Sequence, residues 1–155
     1  MHEKFLKFLP VVRAIGCLSK DPSTKVGAVV LDDDYNILVT GYNGFPRGVQ
    51  DDPVRLSNRE LKLKFVSHAE ANAIAQAARV GAKLYGSTLV VTNLYPCTNC
   101  AKLIVQAGIK TVLAPKMSNE DAVSINQQWF EEAAYSEKIF AESGVEVIYY
   151  EEDRI

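Results

Sequence analysis

Metal-binding side chains are scarce in this chain, which has two histidines, His2 and His68, and three cysteines, Cys17, Cys97 and Cys100. So small and odd a number of thiols does not make a disulfide framework. It also leaves almost no nitrogen or sulfur ligand for a second metal site once one has been built. Long apolar runs are missing too: a stretch such as Gly27-Ala28-Val29-Val30-Leu31 is far too short to cross a bilayer. The N-terminus mixes His2, Glu3, Lys4 and Lys7 with apolar residues, unlike a signal peptide, so a soluble cytoplasmic protein with no membrane partner is expected. Basic excess is absent, with 17 Lys and Arg against 19 Asp and Glu and a formal charge of −2. Proteins that grip a nucleic-acid backbone normally carry that excess, so a small substrate is favoured over a polymeric nucleic acid. No internal repeat, low-complexity segment or linker interrupts the 155 residues. One domain over 1–155 is expected.

What is present alternates between strand and helix signals. Residues 4–20 have helical apolar spacing, with Pro10 predicted to kink the helix or to delay its start. Residues 26–31 and 37–42 read as a hairpin joined by Asp32-Asp33-Asp34-Tyr35-Asn36. Residues 43–65, with Gly44, Pro46, Gly48 and Pro53, read as a long loop holding a short helix near 58–64, and loops of that length in a compact domain are usually functional. An alanine-rich helix over 68–80 stops at Gly81. Strand 88–92 leads to Pro96 and a helix over 97–107, followed by strand 111–114, one or two helices within 121–142, and strand 145–150. A hairpin followed by crossovers predicts an α/β sandwich with a mixed sheet.

Two segments stand out: Ser67-His68-Ala69-Glu70 and Pro96-Cys97-Thr98-Asn99-Cys100. Taken singly, each has an ordinary explanation. Ser67 and Glu70 fit a capping box, and an isolated C-x-x-C fits a redox pair or part of a structural zinc cluster. Together they supply one imidazole, two thiols and one spare carboxylate, the H-x-E…P-C-x-x-C pattern of zinc deaminases. Cys97 and Cys100 are spaced to face the same way at a helix N-terminus, where backbone dipoles favour thiolate. Three ligands leave a zinc ion open for catalysis, whereas Cys17 as a fourth would close it into a structural site. The expectation is an open site, with Cys17 a small buried residue of the first helix. On an open site, zinc-bound water ionises near neutral pH and Glu70 moves the protons.

The resemblance to a known family is longer than this motif. Ser19-Lys20-Asp21-Pro22-Ser23-Thr24-Lys25-Val26-Gly27-Ala28, Gly41-Tyr42-Asn43-Gly44-Phe45-Pro46-Arg47-Gly48, His68 to Ile74, Pro96 to Lys102 and Gln106 to Lys110 resemble deoxycytidylate deaminases over roughly residues 19–114. The resemblance implies a three-layer cytidine-deaminase-like fold with a central five-stranded sheet, and hydrolysis of dCMP to dUMP and ammonia. It implies zinc ligands at His68, Cys97 and Cys100, and proton transfer by Glu70. It further implies that Asn43 touches the sugar and that the Ala69 backbone reads the pyrimidine edge, although Tyr-Asn-Gly is also ordinary turn chemistry. A monophosphate calls for a cation or donor, with Lys25, Arg47, Asn72 and Lys102 as candidates. In the family the Gly44, Pro46, Arg47 and Gly48 region is associated with dCTP and dTTP regulation, and the assembly is a homo-oligomer. Deamination of another base or nucleotide, such as cytidine, dCTP, a 5-substituted dCMP or guanine, is the enzyme alternative, and a closed zinc-stabilised interaction domain the non-enzyme one. The segment 117–140 departs from the family, and its Trp129-Phe130 pair reads as core rather than as a base-stacking surface.

Overall fold

The structure is a computed structural model that describes residues 2–116 and 127–152. The helices are α1 (Glu3–Leu6), α2 (Leu9–Gly16), α3 (Pro53–Ser57), α4 (Arg59–Phe65), α5 (Ala69–Val80), α6 (Thr98–Gln106) and α7 (Gln127–Ser143). The strands are β1 (Gly27–Leu31), β2 (Ile37–Tyr42), β3 (Thr88–Val91), β4 (Thr111–Pro115) and β5 (Glu146–Tyr150). They form one sheet in the order β2-β1-β3-β4-β5. The sheet is mixed. β1 runs antiparallel to β2 (Val29 opposite Thr40) and to β3 (Val29 opposite Val90), while β3, β4 and β5 run parallel (Leu89 opposite Val112, Val112 opposite Val147).

Helices cover both faces. Ala28, Val30, Leu89, Val91, Val112 and Ala114 pack against Ala73 and Ala77 of α5, Ile104 of α6 and Phe140 of α7. Val29, Leu31, Val90 and Leu113 pack on the other face against Phe5 and Val12 of α1 and α2. This is the expected α/β/α sandwich. The three central strands are buried throughout, so their sequences are mostly apolar, whereas edge strand β2 alternates and edge strand β5 is partly exposed.

Close approach of α5 to the sheet depends on small residues at both surfaces. A Cβ at Gly41 of β2 would lie 2.2 Å from the Ala69 carbonyl oxygen, so only glycine admits the start of α5 there. Gly81 closes α5 in the left-handed region at φ 76°, as its sequence position predicts.

Three boundaries differ from the sequence expectation. The first predicted helix is two, because Pro10 sits in the opening turn of α2, where its missing N–H is not needed. The 43–65 loop carries a second short helix, α3, with Pro53 at its start and Asp52 accepting from the Arg55 amide. Of the helix expected within 121–142, residues 127–142 belong to α7, and 117–126 lie outside the described residues.

Candidate active site

Two helix N-termini meet above the C-terminal end of β3. His68 is the N-cap of α5, and Cys97 is the N-cap of α6 with its sulfur accepting from the Cys100 amide at 3.5 Å. The capping-box alternative is therefore overturned. The cap residue is His68 rather than Ser67, and Glu70 lies in the first turn, 4% exposed, aimed into the protein. Ser67 instead pairs its backbone with Gly44 in an antiparallel bridge, with N–O distances of 2.8 and 3.0 Å. This bridge ties the loop after β2 to the residue preceding His68.

His68 Nδ1 lies 3.4 Å from Cys97 Sγ and 3.5 Å from Cys100 Sγ. The three donor atoms lie within 4.8 Å of one another. A tetrahedral zinc ion with ordinary Zn–N and Zn–S bonds would separate a nitrogen and a sulfur ligand by about 3.6 Å. The donor set therefore fits zinc in both chemistry and spacing. Cys17 is not part of it: it is the C-cap of α2 and exposed, which corrects the expectation of a buried residue. His2 is also remote, pairing with Glu146 at 3.4 Å.

The electrostatics suit a cation. The Cys100 thiol beside Cys97 pulls the Cys97 pKa down to about 4, with His68 and the Cys100 amide assisting against burial. Cys100 is pushed up, first by that same thiolate and then by burial and Glu70. His68 is raised by its hydrogen bond to Cys97. Burial pushes the Glu70 carboxyl above the ordinary range, opposed by Cys100 and His68.

A cavity of about 510 Å³ opens beside these groups. That is enough for a nucleotide-sized ligand. His68, Ala69, Glu70 and Cys97 line one part of it, and Thr24, Val26 and Asn43 another. Asn43 is buried, and its side-chain amide is already engaged: Oδ1 accepts from the Val26 amide at 2.8 Å and Nδ2 donates to the Thr24 carbonyl at 2.9 Å. It clamps the 24–26 backbone while facing the cavity. Ala69 is fully buried at the first position of α5, where its N–H has no acceptor within the helix.

The cationic and amide candidates fall elsewhere. Lys25 and Lys102 are exposed and outside the lining. Arg47 donates to Gln76 Oε1 at 2.9 Å, also outside it. Asn72 spends its amide hydrogens on the carbonyls of Tyr42 and Ser67, at 2.8 and 3.2 Å, and thereby braces β2 against the start of α5. Of the expected effector residues, Gly44 borders a separate cavity of about 110 Å³, which neither Arg47 nor Gly48 lines.

Sequence reasoning missed several of the lining residues. Arg59 and Lys62 come from α4, Asn93 and Tyr95 from the turn after β3, and Trp129 and Glu132 from α7. Asn93 takes φ 68°, a left-handed conformation in which Asn is enriched, and donates to the Lys25 carbonyl. Glu132 accepts from the Thr98 hydroxyl at 2.7 Å and so pins α7 beside the two cysteines. Trp129, expected in the core, is instead a cavity wall whose ring centroid lies 6.3 Å from that of His68.

Comparison with known proteins decides the family. Residues 2–115 match the cytidine and deoxycytidylate deaminase zinc-binding region. The chain belongs to this family. It is 40% identical over 141 residues to an uncharacterized deaminase in the luxG 3' region of Aliivibrio fischeri, covering 91% of this chain and 89% of that protein. It is 44% identical over 100 residues to the deoxycytidylate deaminase of Mus musculus, covering 61% of this chain and 54% of that one, so it spans about half of the mouse protein. The crystal structure of dCMP deaminase from the cyanophage S-TIM5 in complex with dCMP and dUMP superposes with a TM-score of 0.72 at 27% identity, covering 97% of this chain and 98% of that one.

Proposed function

We propose that this protein is a zinc-dependent hydrolase that converts dCMP and water to dUMP and ammonia. The observation that carries the reading is the placement of a three-donor zinc cluster and a buried carboxylate against one wall of a nucleotide-sized cavity. Membership of the deaminase family and the likeness to the cyanophage dCMP deaminase support the choice of substrate.

Nδ1 of His68 and the sulfurs of Cys97 and Cys100 would hold the zinc, leaving one of four tetrahedral positions open. When bound, zinc would make water acidic enough to act as a nucleophile near neutral pH. Glu70 takes a proton from the attacking water and delivers it to ring nitrogen N3, which leaves C4 electron-poor. The water oxygen bonds to C4. A second proton passing through Glu70 reaches the exocyclic nitrogen, the C4–N bond breaks and ammonia departs. One carboxyl serves both transfers because it alternates between base and acid, and burial raises it above the ordinary carboxylate range. Asn43 holds the loop that forms the sugar side of the cavity, and the free amide of Ala69 faces the base. The family likeness extends the proposal to dCTP and dTTP as effectors, a homo-oligomeric assembly and a cytoplasmic setting for the single domain.

A substrate panel tests this reading. Purified zinc-loaded protein is expected to remove the cytosine absorbance of dCMP faster than that of deoxycytidine, cytidine, dCTP or 5-substituted dCMP, and to leave guanine untouched. Addition of dCTP and dTTP reads regulation in the same assay. Turnover of one of the other compounds with none of dCMP would sink the assignment.

A further inference from the structure

One cation of the cavity lining has no partner among the described residues. Arg59, Lys62, Leu63 and Val66 recur along one face of α4 and its C-cap, and all four line the cavity. Lys62 is committed: it is 7% exposed and its Nζ lies 3.2 Å from Asp21 Oδ1, which also accepts from the backbone amides of Ser23 and Thr24. Neighbouring cations outside the cavity are paired as well, Lys20 with Asp51 at 2.9 Å and Arg55 with Asp52 at 3.2 Å. Arg59 is exposed and, among the described residues, makes no ion pair or hydrogen bond. It is a guanidinium at the edge of a cavity whose other charged groups are either partnered or part of the catalytic cluster.

We propose that Arg59 is the residue that reads the 5'-phosphate, and that it sets the preference for a nucleoside monophosphate over the nucleoside. This rests on the dCMP reading above. A phosphate offers planar pairs of oxygens that a guanidinium meets with two parallel hydrogen bonds, and an arginine with no acceptor among the described residues has its donors free for them. The assignment differs from the sequence candidates, since Lys25, Arg47, Asn72 and Lys102 all lie outside the cavity lining.

The test compares dCMP with deoxycytidine in the wild-type, Arg59→Gln, Arg59→Lys and Arg79→Gln proteins, the last losing a charge on the exposed end of α5. Arg59→Gln is expected to raise KM for dCMP roughly ten- to a hundredfold, the range of a charge-assisted hydrogen bond. Neither kcat nor deoxycytidine turnover should change by more than about twofold. Arg59→Lys should recover part of the loss, and Arg79→Gln should match wild type. KM for dCMP should climb with ionic strength in the wild type and much less in Arg59→Gln. Equal losses for dCMP and deoxycytidine, or no loss for either, would overturn the assignment. A wild type inert toward dCMP would defeat the proposed function instead. The arginine is then judged by binding of CMP, GMP and dUMP against their nucleosides, followed by the fluorescence of the single tryptophan, Trp129. Tighter binding of the phosphates that Arg59→Gln abolishes supports it, and indifference to the phosphate overturns it.

Discussion

His68 Nδ1 and Cys97 Sγ, 29 residues apart in the chain, stand 3.4 Å from one another because each belongs to an N-cap residue and the two helix starts converge. A cap residue has extended backbone, so its side chain points ahead of the helix rather than along it. With Cys100 added, the group forms three corners of a tetrahedron of zinc dimensions. Purified protein is expected to contain one zinc per chain by elemental analysis. Removal with a strong chelator should abolish deamination, and zinc addition should restore it. His68→Ala, Cys97→Ser and Cys100→Ser should each lose most of the metal, whereas Cys17→Ser should retain it in full. Loss of zinc in Cys17→Ser would revive the closed structural site.

Glu70 is a separate matter from metal retention. It sits two residues after His68, yet its carboxyl is not among the three clustered donors. Glu70→Gln keeps the shape and removes the proposed proton carrier. Zinc content should remain at wild-type level while kcat falls by about two to four orders of magnitude, the usual cost of losing a general acid–base. A comparable loss of zinc would instead make Glu70 a ligand.

The buried pair of Asp21 and Lys62 forms part of the cavity wall, with both side chains about 9% exposed. Burial alone would raise the Asp21 carboxyl, but the amides of Thr24 and Ser23 and the Lys62 ammonium together hold it below the ordinary range. A folded-state pKa below the unfolded one means that its stabilisation is present above the unfolded value of about 4. It is lost as pH falls from there through the depressed folded value. Acid unfolding of the wild type should therefore steepen below about pH 4, and Asp21→Asn should flatten that limb. Lys62→Ala leaves a buried carboxylate with only backbone donors and should cost roughly 3–5 kcal/mol in denaturant titration at neutral pH. Asp21→Asn combined with Lys62→Met should recover much of that.

Most of the fold follows from local signals. The hairpin, the alanine helix with its Gly81 stop and the parallel strands β3 to β5 are each written in a few consecutive residues, and their periods agree with the layers found. The candidate metal cluster is equally legible, because scarcity of His and Cys leaves few combinations. The far wall of the cavity is not. Whether Arg59 faces a ligand or solvent depends on where α4 packs, which no spacing within 43–65 expresses. Lys25 and Asn72 illustrate the converse: both flank recognisable motifs, but one side chain points outward and the other is consumed by backbone carbonyls. Trp129-Phe130 has the pattern of a core helix, and only the docking of α7 through Glu132 to Thr98 turns Trp129 toward the cavity.

That docking makes Trp129 a reporter. It is the single tryptophan of the chain, its ring lies 6.3 Å from His68, and its indole N–H is buried without a partner among the described residues. A ligand entering the cavity changes both the polarity and the water around the ring. Titration of Glu70→Gln protein with dCMP, which it should bind but not convert, is expected to shift or quench the emission in a saturable way. Deoxycytidine should require a higher concentration for the same change, in proportion to the KM ratio of the wild type. Trp129→Phe should abolish the signal while retaining measurable turnover, because the ring forms a wall of the cavity and the proposed proton carrier is Glu70. An emission that stays constant at saturating dCMP would place the nucleotide outside the cavity between α4 and α7, and with it the site geometry argued above.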